Sequence, residues 1–219
     1  MKTEYIKLIE KSQLLCGINA SEVQSLLNCL NAKIIEFDKN EIVVQEGNLL
    51  SKFGLVVEGE LQLVQYDYFG NKNILSTIGP LQIFGEAFSY SGLKMPFTVE
   101  CSLKTVVILF NSDKISTPCE NCCIFHRRLI NNLLKIISEK NILLTQKIEC
   151  ISKRTTREKI LAYLSIEAVK KGNNEFSINL DRQRLADYLG VERSAMSAEI
   201  SKLRKENIIE CKKNIFKLL

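Results

Sequence analysis

Apolar positions change their spacing three times along the chain, and each spacing predicts a different kind of element. Two short amphipathic helices open it, near Thr3–Lys11 and Ala20–Leu30, with Ser21 or Asn19 placed to cap the second. From Lys33 to Asn111 short runs rich in Ile, Val and Phe alternate with Gly47, Gly54, Gly59, Gly70, Gly79, Gly85 and Gly92. Ile42-Val43-Val44, Leu55-Val56-Val57, Leu61/Leu63, Ile74/Ile78 and Thr105–Phe110 read as strands, with glycines supplying turns that need positive φ. Many short strands without interleaved helices favour a barrel or sandwich over a parallel α/β sheet.

The third spacing is helical. Thr117-Pro118-Cys119-Glu120 combines an N-cap threonine, a proline at the first helical position and a glutamate three residues after the cap. Beyond it, Ile130, Leu134, Ile137, Asn141, Leu144, Ile148 and Ile151 recur at alternating four- and three-residue steps. That 3.5-residue repeat is the seam of a two-stranded coiled coil, in which a single buried Asn fixes register. A helix over Pro118–Ile151 is about 50 Å long, more than a small domain buries, so the seam predicts a homodimer. A second capping box, Thr155-Thr156-Arg157-Glu158, starts a new helix that stops at Gly172. The expected organisation is therefore a domain over 1–117, a dimerisation helix over 118–151 and a third module over 152–219.

That third module reads, after an apolar strand at Phe176–Leu180, DRQRLADYLGVERSAMSAEISKLRKENII from Asp181 to Ile209. Asp181 caps a helix that buries Leu185, Ala186 and Leu189. Gly190 makes a tight turn, and a second helix from Glu192 turns Met196, Ile200 and Leu203 inward. A small residue followed four positions later by glycine is what two helices crossing near right angles require. Arg193, Ser194, Ser197, Lys202 and Arg204 face outward as donors, the chemistry a major groove reads. Ile208 to Leu218 then forms two short strands around Lys213-Asn214, a wing.

Charge supports this division. Residues 152–219 hold 15 Lys and Arg against 9 Asp and Glu, a net of +6, while the whole chain carries +5. A basic module beside a neutral one points to a polyanionic partner, here double-stranded DNA. No apolar stretch reaches the roughly 18–20 residues of a membrane span, and the N-terminus lacks a secretory core, so a cytoplasmic protein is expected. In that compartment the eight cysteines are expected as thiols.

Taken in order, these segments resemble the CRP/FNR superfamily of bacterial transcription regulators along nearly the whole chain. The likeness rests most on Glu58-Gly59-Glu60, Phe84-Gly85-Glu86 and the run from Gln183 to Leu203. It implies an α+β protein: an N-terminal antiparallel, jelly-roll-like β-roll that senses a small molecule or redox signal, a long dimerisation helix, and a C-terminal winged helix-turn-helix. It further implies a palindromic operator, no enzymatic activity, and RNA polymerase as a possible further partner. By resemblance Arg193, Ser194 and Ser197 occupy base-reading positions and Gln183 a phosphate-contacting one, with Lys202 and Arg204 on the same helix. A glutamate frequent in the family is Ser194 here, and Ala198 stands where an arginine is frequent. Cyclic-nucleotide binders follow Gly85-Glu86 with an arginine that pairs the cyclic phosphate. Pro96-Phe97 stand there instead, so the effector pocket around Gly85, Glu86, Pro96 and Phe97 is not expected to hold cyclic AMP.

Cys119, Cys122, Cys123 and His126, the single histidine, lie within eight residues and share one face of a helix. Thiolate with imidazole suits zinc, an iron–sulfur cluster or haem iron. Thiols in a first helical turn also suit redox sensing without metal, and packing as small apolar residues explains them equally. The competing reading of the whole chain is a cyclic-nucleotide-type sensor module acting on a protein partner. An enzyme finds little support, because His126 has no Asp or Asn orienter in its motif.

Overall fold

Strands form where the apolar runs predict them, and at three places where they do not. The computed structural model describes residues 3–117 and 124–219, in two units, Met1–Ile136 and Ile137–Leu219. In the first unit α1 (Thr3–Ile9) and α2 (Ala20–Cys29) precede β1 (Lys33–Phe37), β2 (Ile42–Val44), β3 (Lys52–Glu58), β4 (Leu61–Tyr66), β5 (Lys72–Ile78) and β6 (Ile83–Phe84). A short α3 (Glu86–Ser91), β7 (Thr98–Cys101), β8 (Thr105–Asn111) and α4 (Ser112–Ser116) follow. Helix α2 is capped at Asn19, whose backbone N–H donates to the Glu22 carboxylate at 2.9 Å.

The strands make two antiparallel sheets, in the orders β1-β8-β3-β6 and β2-β7-β4-β5. Alternation along β3 and β8 serves two cores at once. Val56 and Val107 join Leu61, Val99, Cys101 and Phe84 between the sheets. Leu55, Val57, Ile108 and Phe110 face the other way, against Leu14, Leu15, Val23 and Leu26 of the N-terminal helices. Gly59, at φ +88, turns β3 into β4 where a Cβ would sit 2.4 Å from the Lys104 carbonyl oxygen. Gly54 allows a different approach: a Cβ there would meet the Phe84 ring at 2.2 Å.

Helix α5 is described over Ile124–Ile151, 28 residues or about 42 Å. Its predicted onset at Thr117-Pro118-Cys119-Glu120 falls outside the described residues beyond Thr117, which closes α4 in an extended conformation. One face buries Leu129, Leu133 and Ile136 against the N-terminal helices and β-roll. At the other end Cys150 enters the core of the second unit.

In that unit α6 (Thr156–Lys171) begins at the predicted box: Thr155 Oγ1 accepts from the Glu158 N–H at 3.2 Å, and Thr155 N–H donates to the Glu158 carboxylate at 3.0 Å. Gly172, at φ 63, closes it. Strand β9 is shorter than the predicted Phe176–Leu180 and spans Glu175–Ser177, because Asp181 already caps the next helix. Helices α7 (Arg182–Leu189) and α8 (Arg193–Lys205) are followed by β10 (Ile209–Lys212) and β11 (Ile215–Leu218). The latter two form an antiparallel hairpin closed by β9 in the order β10-β11-β9. One core unites Ile160 and Leu164 of α6, Leu185, Ala186 and Leu189 of α7, Met196, Ile200 and Leu203 of α8, and Phe216. The protein is thus α+β: an antiparallel β-roll, a long helix and a winged helix-turn-helix. Among the described residues no helix is long and apolar enough to cross a membrane.

Candidate functional site

The α7–turn–α8 segment is built by local signals. Asp181 Oδ1 accepts from the Arg184 N–H at 2.8 Å and starts α7. Gly190, at φ 60, ends it, and the Val191 N–H returns to the Ala186 carbonyl at 3.1 Å. Ala186 is fully buried under this turn, where a larger side chain would hold the helices apart. Glu192 opens α8 without a side-chain capping bond, which leaves the N–H groups and positive dipole end of its first turn facing solvent.

Met196, Ile200 and Leu203 are buried, and Arg193, Ser194, Ser197, Lys202 and Arg204 are all exposed, but not on one face. At about 100° per residue, Arg193, Ser194, Ser197 and Arg204 fall within an arc of about 100°. Ser201, which the sequence reading passed over, lies in the same arc; its Oγ donates to the Ser197 carbonyl at 2.9 Å. Lys202 points about 180° from Arg193 and pairs with Glu199 at 3.5 Å. The structure therefore brings four of the five predicted α8 donors together and sets Lys202 apart.

Gln183, Arg193, Lys212, Lys213 and Asn214 line a single concavity between the start of α7 and the wing. Gln183 is exposed, its amide donating to Asp187 Oδ1 at 2.8 Å. Arg182, unremarked in the sequence, belongs to the same corner. Its Nη2 donates to the Lys213 carbonyl at 3.0 Å and to the Cys211 sulfur at 2.8 Å, tying α7 to the wing. On the other side of α8 the Arg157 guanidinium holds the Glu206 carboxyl below its usual range, and its own pKa is raised in return.

In the β-roll, Gly85 at φ 77 caps α3 and Glu86 is buried. Phe97 is half-buried against the core between the sheets, edge-on to Phe88 at 5.6 Å, and the Pro96 carbonyl accepts from Gln65 at 3.1 Å. Pro96 and Phe97 bring no cation to pair with a cyclic phosphate, so these positions do not fit one.

Cys119, Cys122 and Cys123 lie outside the described residues. His126 is buried; its Nε2 lies 2.8 Å from the Ile115 carbonyl, and its Nδ1 has no partner among the described residues. Along α5, Ile130 is half-buried against the β-roll core, while Leu134 at 58%, Ile137, Leu144 at 61% and Ile148 at 60% are exposed. Asn141 is exposed with them.

Comparison with known proteins yields two matched families: a cyclic nucleotide-binding domain over residues 34–122 and a Crp-like helix-turn-helix domain over residues 158–219. Among solved structures, CprK complexed with OCPA superposes with a TM-score of 0.58 at 19% identity, covering 89% of this chain and 91% of that one. DNR from Pseudomonas aeruginosa gives 0.50 at 16% identity over 100% of this chain and 95% of its own. A cyclic nucleotide-binding domain from Methylobacillus flagellatus KT gives 0.52 at 17% identity over 63% and 77%. No curated protein sequence matches.

Proposed function

The chain belongs to the CRP/FNR superfamily of transcription regulators, and from that premise we propose that it acts as a homodimer binding a palindromic operator under a signal sensed by its β-roll. The observation that carries this reading is α8. Arg193, Ser194, Ser197 and Arg204 share an exposed face of a helix held by the turn at Gly190 over the buried Ala186, in a module of net charge +6. Arginine reads guanine edges bidentately in the major groove, and serine hydroxyls accommodate either base of a pair. Gln183 at the start of α7 and Lys212-Lys213 of the wing line one concavity with Arg193, and their donors suit phosphate contacts beside a base-reading helix.

Dimerisation is supported by the apolar stripe of α5. Leu134, Ile137, Leu144 and Ile148 are exposed in the single chain at the 3.5-residue spacing of a coiled-coil seam. A second copy of α5 covers it, with Asn141 paired across the axis. A twofold dimer then presents two α8 helices to half-sites about 34 Å apart. The domain division follows the same logic: sensing over 1–117, dimerisation over 118–151, DNA reading over 152–219. The absence of a cation at Pro96-Phe97 argues for a signal other than a cyclic nucleotide. A metal, cluster or thiol at Cys119, Cys122, Cys123 and His126 is the alternative sensor this reading carries forward.

Selection from a pool of random duplexes, followed by footprinting and a salt titration, tests the reading. Enrichment of an inverted repeat is expected, with log affinity falling linearly as log salt rises. Recovery of no sequence, with binding indifferent to salt, would leave a protein-binding sensor module as the better account.

A further inference from the structure

Two cations of α6, two residues apart, each hold a different helix of the reading pair. The Arg157 guanidinium lies between two carboxylates of α8: Nη1 is 3.4 Å from Glu199 at mid-helix, and Nη2 is 2.5 Å from Glu206, its C-cap. Lys159 Nζ donates to the carbonyls of Leu189, at 3.2 Å, and Gly190, at 3.5 Å, where α7 ends. The last carbonyls of a helix have no intrahelical partner and carry its negative dipole end, so a cation is favoured there.

The two glutamates lie away from the reading face. Glu199 is about 200° around α8 from Ser197, and Glu206, seven residues on, shares its side. Arg157 therefore cannot reach a base while Arg193, Ser194 and Ser197 are in the groove. Its effect on recognition must pass through the orientation of α8. Met196, Ile200 and Leu203 pack α8 into the same apolar core as Ile160 and Leu164, but apolar contact is non-directional and tolerates rotation. A planar guanidinium bridging two carboxylates is directional and does not. Base-edge hydrogen bonds, which fail beyond about 3.5 Å, depend on that direction.

We infer that Arg157, assisted by Lys159, is a positioning residue for sequence recognition: it sets the rotation and tilt of α8 on α6 without touching DNA. The inference rests on α8 being the reading helix, as proposed above.

The full-length protein is compared on two duplexes, the operator selected by the unmodified chain and a scrambled duplex of equal length. Arg157→Gln is expected to bind the operator about 10- to 100-fold more weakly, while scrambled-duplex affinity stays within about twofold. Glu206→Gln, at a half-exposed site, moves operator affinity in the same direction with an unchanged thermal midpoint. Arg157→Lys keeps the charge but not the fork and falls short of full operator affinity. The exchange Arg157→Glu with Glu206→Arg recovers part of the loss. Equal losses on both duplexes together with a lowered thermal midpoint overturn the inference in favour of a merely structural ion pair, as does unchanged operator affinity in all variants. Failure of the unmodified chain to select any sequence is seen before a variant is made; it removes the DNA-reading proposal itself, and this inference with it.

Discussion

Arg182 lies over the face of Phe216, its guanidinium carbon 4.9 Å from the ring centroid. The same side chain donates to the Lys213 carbonyl at the wing turn. One residue at the start of α7 thus clasps both the strand and the tip of the hairpin that follows α8. A partly exposed cation–π contact and a charged hydrogen bond contribute about 1–2 kcal/mol together. Arg182→Ala is expected to lower the thermal midpoint by about 2–4 °C per kcal/mol lost, for a chain of this size. Arg182→Lys should not restore it, since lysine has no planar face to stack. An unchanged midpoint in Arg182→Ala would show that the wing is held by its β-ladder alone.

Gly59 and Gly79 make opposite predictions from the same substitution. Gly59 sits at φ +88, with the Lys104 carbonyl oxygen and Thr105 closing on the place of a Cβ, whereas Gly79 has nothing within 4 Å of that place. Alanine at Gly59 adds left-handed strain to a backbone clash, so a loss of more than about 2 kcal/mol is expected. Alanine at Gly79 removes unfolded-state freedom without a clash and is expected to be neutral or stabilising by about 0.4–1 kcal/mol. Chemical denaturation of the two variants side by side gives the comparison, and similar midpoints would contradict it.

Much of this could be read from residues in series, because caps and turns are local. Thr155 with Glu158, Asp181, Gly172 and Gly190 all act where their sequence neighbours place them. Strand β7 escaped because Glu100 interrupts its apolar run; the carboxylate is buried there only because Tyr66 of β4 and Lys72 of β5 both bind it. Strand β1 escaped for a related reason: Glu36 breaks its apolar pattern, and only pairing with β8 makes it a strand. At the candidate site the outward donors of α8 were legible from helical periodicity. That Lys202 turns about 180° from Arg193 follows from the same periodicity, but that Arg157 and Arg182 hold the module together was not legible, since their partners lie 29 to 49 positions away.

The Thr155–Glu158 box makes α6 sensitive to acid. The Glu158 carboxyl is held below its ordinary range, first by the Thr155 backbone N–H and then by the Thr155 hydroxyl. A carboxyl whose folded pKa is depressed adds stability above its unfolded pKa, and that stability is lost as pH falls through the folded value. The unmodified protein should therefore exceed Glu158→Gln in thermal midpoint at neutral pH, and the gap should close below the ordinary glutamate range. A gap that stays constant from neutral to acid pH would mean that the amide caps as well as the carboxylate.

Leu144 tests the proposed dimer. It is 61% exposed in the single chain, and a second α5 would bury it in the seam. Leu144→Glu places two charges across that seam and is expected to give monomers by sedimentation, with operator binding lost and the folded spectrum kept. Asn141→Leu acts the other way: a buried Asn specifies two strands at a cost in stability. Its replacement should raise the midpoint and broaden the distribution of oligomers. Retention of the dimer by Leu144→Glu would place the interface elsewhere.

Arg193 and Lys202 separate reading from mere charge. Both are exposed cations of α8, yet Arg193 opens the helix beside Ser194 and Ser197, while Lys202 faces about 180° away and pairs with Glu199. If α8 reads bases, Arg193→Ala should cost about 1–3 kcal/mol on the selected operator and relax preference at one position of each half-site. Lys202→Ala should alter operator affinity by less than about twofold, because Lys202 faces away from the reading arc and already pairs with Glu199. If the module only attracts DNA by charge, the two alanine variants lose affinity equally and on every sequence alike. Binding curves on operator and scrambled duplex at two salt concentrations distinguish these outcomes, since only a reading residue changes their ratio.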